Sequence, residues 1–203
     1  MTAELDDLKR DMRSAQLVEW IVTNKQTLAA VVAVVVIALL ASSLWVARSK
    51  AQREAAATIY YQATAVSDPL KRKALLETVV HDYSRTGYAP LSLFQLVSLD
   101  SDKAPEYLKE LLDSSAPREL KWQARLDLAE HLIASGNQAK AEAYLKADVG
   151  QEYAQLRWYL RAQIATDDAG RREALQKALD ASSNDADLKK RIQRTLAALS
   201  VAG

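Results

Sequence analysis

"DLAEHLIASGNQAKAEAYL", residues 127–145, decides the fold. Its centre, Ser135-Gly136-Asn137, is a turn signal, and apolar residues recur at helical spacing on either side. Leu128 and Leu132 precede the turn; Tyr144 and Leu145 come after it. Among them, Ala129 and Ala141 stand where a buried helix would normally carry something bulkier. Small residues at such positions let two helix axes approach closely. The stretch therefore reads as a helix hairpin whose arms meet at Ala129 and Ala141.

Working outward, turn signals recur at short intervals: "SRTG" (84–87), "DSDKAP" (100–105), "DSSAP" (113–117), "DVGQ" (148–151), "DDAG" (167–170) and "SSND" (182–185). Helical runs fill the gaps, strand-like alternation is absent, and Gly and Pro are few (5 and 4). The spacing predicts an all-α string of antiparallel hairpins over 69–203, closed by a basic helix at about 185–200 containing "KKRIQR". Ser67-Asp68-Pro69 predicts a helix start, with Asp68 as N-cap and Pro69 at the first helical position.

Upstream lies "QTLAAVVAVVVIALLASSLWVA", residues 26–47, uncharged between Lys25 and Arg48. A helix over this stretch rises roughly 33 Å, enough to cross a hydrocarbon core of about 30 Å. A cleavable signal peptide would carry a shorter apolar stretch of about 7–15 residues. Trp20 and Trp45 would sit about 37 Å apart on a continuous helix, near the two interfaces. Residues 26–47 are thus expected to be a single transmembrane anchor. No ionisable residue lies within it to make an ion or proton path. Nothing ends the helix at the lipid boundary, so it should continue as a stalk over 48–68. Residues 1–25 show Leu5, Leu8, Met12, Leu17, Val18 and Ile21 at helical spacing, an amphipathic leader. Lys9, Arg10, Arg13 and Lys25 before the span nearly balance Arg48, Lys50 and Arg53 after it, leaving a faint lean to a cytoplasmic N-terminus.

The composition offers little chemistry. With 27 basic against 26 acidic residues, no field exists to attract nucleic acid. There is no cysteine, and the histidines, His81 and His131, have no metal-motif neighbours. No phosphate loop or G-x-S-x-G nucleophile elbow occurs. The carboxylate pairs Asp100 with Asp102 and Asp167-Asp168 sit in turns, where Asp caps the next helix. The expectation is a protein that is not an enzyme and has no cofactor, metal or small-molecule substrate.

The hairpin at 127–145, with Leu128-Ala129, Leu132, Gly136, Ala141 and Tyr144-Leu145, resembles a tetratricopeptide repeat. Fainter copies run from Tyr88 through Leu96-Val97, Ala104 and Leu108, and from Tyr153 through Ala162, Ala174 and Ala178. In the first, Val97 occupies the small position. A period near 34 residues favours a solenoid over a generic bundle. The order of leader, span, stalk and hairpins, with "SRTGYAPLSLFQLV" (84–97), "LDLAEHLIASGNQAKAEAYL" (126–145) and "LRWYLRAQIATDD" (156–168), resembles the YfgM-type family. That family comprises tetratricopeptide-like ancillary subunits of the bacterial Sec translocon. The resemblance implies an inner-membrane protein with a cytoplasmic N-terminus and a periplasmic hairpin domain. It also implies two partners, the translocon and a membrane-anchored periplasmic chaperone of the prolyl-isomerase type. A tetratricopeptide scaffold anchored for another envelope or organelle assembly, such as envelope biogenesis or cytochrome maturation, is the alternative.

In such a stack the first helix of each pair lines the concave side. Counting three residues back from Val97, Ala129 and Ala162 gives Phe94, Leu126 and Tyr159; three further back lie Leu91, Gln123 and Leu156. These six form either an apolar track for a partner helix or extended segment, or ordinary core closed between weak repeats.

Overall fold

The computed structural model describes Trp20, residues 23–181 and residues 185–201. The leader expected over 1–25 falls almost wholly outside these residues, as does most of the 182–185 turn. Among the described residues the fold is all helical: α1 Lys25–Ala65, α2 Pro69–Asp82, α3 Tyr88–Leu99, α4 Ala104–Asp113, α5 Arg118–Ala134, α6 Gln138–Lys146, α7 Gln151–Ile164, α8 Asp168–Asp180 and α9 Ala186–Val201.

Helix α1 is a single run of 41 residues, and the most apolar part of it has a mean hydropathy of 2.6 with none of it buried. Ile37, Leu39, Leu44 and Trp45 are each more than 60 % exposed. A core helix of a water-soluble domain would bury such residues, so this segment is long and apolar enough to cross a membrane. Within it the Ser42 hydroxyl donates to the Leu39 carbonyl at 2.8 Å, so the helix satisfies its own polar side chain.

The chain divides into two compact units, residues 1–51 and 52–203. The end of α1 falls in the second unit, so the stalk expected over 48–68 does not stand alone. Ala56 and Ala63 are fully buried, and Tyr60 Oη accepts a 2.7 Å hydrogen bond from Gln95 Nε2 of α3. The pattern hid this because Ala and Tyr are compatible with a solvated helix as well as with a packed one.

Local chemistry sets the boundaries. Asp68 caps α2, its Oδ1 accepting from the amides of Leu70 (3.0 Å) and Lys71 (3.4 Å), with Pro69 opening the helix. Asp167 caps α8 through Gly170 N at 2.7 Å. Asp100 accepts from Lys103 N ahead of α4 and pairs with Lys73 of α2. That partner holds the Asp100 carboxyl below its usual range. Between α5 and α6, Gly136 adopts φ 76°. Its amide bonds Ile133 O at 3.0 Å and Asn137 N bonds Leu132 O at 2.8 Å, the paired bonds that close a helix on a left-handed residue.

Three buried clusters succeed one another along the chain. The first joins Ala63, Leu76, Leu93, Leu96, Leu108, Leu111 and Leu128. The second joins Leu126, Ala129, Ala141, Leu145 and Leu160, and the third Ala162, Ala174, Leu175, Ala178, Leu188 and Ile192. Leu132 and Tyr144 touch the first two clusters and Leu156 the last two. Each cluster contacts only its neighbours, which is the packing of a solenoid. Ala129 and Ala141 are both completely buried. In α3 the buried small residues are Ala89 and Ser92, while Val97 lies at the cluster's edge.

Candidate protein-interaction surface

The six residues picked from the repeat register differ in burial. Leu91 is 42 % exposed on α3, and Phe94 packs at the margin of the first cluster. Gln123 is half-buried on α5, whereas Leu126 is 1 % exposed and belongs to the second cluster. A residue three positions before the crossing alanine lies only about 60° from it around the helix, so it shares the buried face wherever the next repeat closes. On α5 it does close, since α5 packs directly against α7. Leu156 and Tyr159 hold the equivalent register on α7 but remain partly open.

The difference lies in the helices C-terminal to α7. Helix α9 packs on α8, and two cavities run along its junction with α7. One, about 340 Å³, is lined by Glu152, Tyr153 and Leu156 of α7 and faces Asp185, Asp187, Leu188 and Arg191. The other, about 240 Å³, is lined by Tyr159, Ala162 and Gln163, with Arg171 and Leu175 of α8 and Thr195 of α9. Glu152, Leu156, Tyr159 and Gln163 fall at i, i+4, i+7 and i+11, a single stripe of α7.

Aromatic groups extend this surface onto α5. The rings of Trp122 and Tyr153 meet edge to face with centroids 6.2 Å apart, and the Arg118 guanidinium sits 5.5 Å from the Trp122 ring while pairing with Glu119 at 3.2 Å. Gly150 makes room: a β-carbon there would lie 2.5 Å from the Trp122 ring. The surroundings are acidic. Burial raises the Tyr153 pKa, and Glu152, Asp127 and Glu119 raise it further. Asp127 itself is pushed up to about 6, first by burial and then by Glu130, with His131 opposing.

A third cavity, about 370 Å³, opens beside Trp158, whose ring is flanked by Arg161 and Lys177 at 4.7 Å and Arg157 at 5.4 Å. Two of its charges are already paired, Lys177 with Glu173 at 2.6 Å and Glu142 with Lys146 at 3.2 Å. Among the described residues no group of three or more His, Cys, Asp or Glu stands close enough together to hold a metal ion.

Sequence reasoning missed Trp122, Tyr153, Glu152, Asp187 and Leu188. Glu152 and Asp187 lie in first helical turns, where acids are ordinary, and nothing local shows that α9 returns to face α7. The available signal was Gly150, three residues before Tyr153 at the start of a helix, marking a close approach.

A family model described as a tetratricopeptide repeat-like domain matches residues 19–201. No curated protein and no solved structure matches the chain significantly.

Proposed function

The chain belongs to the tetratricopeptide repeat-like domain family, and we propose that it is a membrane-anchored protein-interaction scaffold that docks a partner on the α5–α7–α9 surface. Domains of this family are generally non-catalytic and work by holding other proteins. The observation that carries the reading is the half-open α7 stripe: Tyr159 holds the register that is sealed core at Leu126, yet it borders a cavity, and Leu156 on the same stripe borders another. The exposed apolar face of α1 supports residues 26–47 as the anchor, with residues 48–68 leading into the hairpins of 69–203.

The resemblance to YfgM-type subunits gives this scaffold its setting. In that reading the anchor lies in a bacterial inner membrane, the N-terminus is cytoplasmic and the hairpins are periplasmic. The Sec translocon and a prolyl-isomerase-type chaperone are the partners, and translocated chains are the beneficiaries. A photo-crosslinking amino acid at Leu156 or Tyr159, irradiated in intact cells, tests it. Adducts containing Sec channel subunits or a periplasmic isomerase are expected. Adducts with a different membrane assembly would instead support a scaffold for envelope biogenesis or cytochrome maturation.

A further inference from the structure

The two cavities along α7 differ in what they would accept. They are strung over the stripe from Glu152 to Gln163, roughly 16 Å of helix, a length that about five residues of extended chain would cover. Separate pockets in line fit alternate side chains of an extended segment, whereas a helix about 10–12 Å across needs a continuous trough. The floor is apolar, with Leu156, Leu188, Tyr159 and Leu175 spread between the pockets.

The ends differ in charge. The first pocket presents Glu152, Asp185 and Asp187 against Arg191, and the Tyr153 ring stands among the carboxylates. Asp187 lies 3.6 Å from Lys190, and Asp185 accepts from the amides of Asp187 and Leu188. Glu119 and Asp127 add to the same negative field at Tyr153. The second pocket contains Arg171 and no carboxylate. Carboxylates around an aromatic ring over apolar walls attract a cation, which gains both the field and the ring face.

We infer that the α7–α9 groove holds a short extended protein segment in which a lysine or arginine seats beside Glu152 and Tyr153 and a large apolar side chain seats beside Tyr159 and Leu175. This rests on the reading of the stripe as the docking surface and adds the charge and conformation of what docks.

The test uses the full chain in nanodiscs of zwitterionic phosphatidylcholine, so that no lipid charge attracts the probes. Three fluorescein-labelled decapeptides are compared by anisotropy: one with lysines beside leucines, one with glutamate for lysine, and one with serine for leucine. The lysine–leucine peptide should bind at least about tenfold more tightly than either of the others, and more weakly as salt rises. Glu152→Lys with Asp187→Lys should reverse the preference between the two charged peptides. Glu152→Gln, which keeps the side chain's shape, should weaken the lysine peptide alone. Equal binding of the charged peptides, binding of none, or an unchanged preference in the charge variants overturns the inference. Leu156→Ser with Tyr159→Ala separates the two levels. Loss of all peptide binding with helicity retained keeps the docking surface, whereas retained binding places the peptides elsewhere and removes the surface itself.

Discussion

At the scale of single residues, two positions test backbone and charge separately. Gly136 has φ 76° and nothing within 4 Å of where a β-carbon would stand, so a substitution there is opposed by conformation alone. Gly136→Ala should cost about 1–2 kcal/mol, and Gly136→Asn less, because asparagine tolerates the left-handed region. Equal losses for the two would remove the conformational explanation; chemical unfolding monitored by circular dichroism measures them. Asp127 tests charge. Its carboxyl is raised to about 6 by burial and by Glu130, so the folded protein holds a proton that the unfolded chain releases at lower pH. The ionised form is therefore a stability cost that is fully present above the folded pKa and disappears below the unfolded one. Asp127→Asn should stabilise on the order of 1 kcal/mol at pH 7.5, a figure reduced for the group's partial exposure, and by nearly nothing at pH 4. A gain independent of pH would assign the effect to helix propensity.

At the scale of elements, the central hairpin was legible because its signals are local. Ser135-Gly136-Asn137 marks the turn, and Ala129 and Ala141, both fully buried, mark the contact. Ala129→Leu should overpack that contact and cost about 1–3 kcal/mol, read as a lower Tm of the full chain in detergent. An unchanged Tm would show that the site has room that the buried alanine denies. Asp68, Asp100 and Asp167 were legible for the same reason, each acting on amides two or three residues away. Closure between elements distant in sequence could not be read in this way. Leu126 and Tyr159 have the same register, but one is sealed by α7 while the other borders a cavity beside α9. No spacing rule distinguishes them, since it depends on where the next helix lands. Helix α9 matters here as a cap. Leu188 and Ile192 complete the third cluster, so deleting residues 186–203 should expose Ala174, Leu175 and Ala178. That truncation should lower the Tm and increase binding of an apolar dye, the behaviour of a solenoid stripped of its terminal repeat. A truncated protein with the parent Tm would make α9 an appendage instead.

At the scale of the whole molecule, a strongly apolar segment and a charged helical domain share one chain, and the proposed function depends on which side of a membrane that segment would leave the domain. The segment itself was plain in the sequence because an uncharged run of this length has few soluble uses. Its orientation was not, because Arg48, Lys50 and Arg53 nearly match the cations before the span, and long domains cross largely regardless of flanking charge. The hairpins offer a clean reporter. Ser115 is exposed in the turn between α4 and α5, and the chain has no cysteine to compete. In a bacterial host, Ser115→Cys should react with a membrane-impermeant maleimide in intact spheroplasts, to the same extent as after lysis. Labelling that appears only after lysis would put the hairpins in the cytoplasm. The groove would then be closed to translocated chains, and the scaffold would have to serve an assembly on the inner face, whatever charge its partner carries.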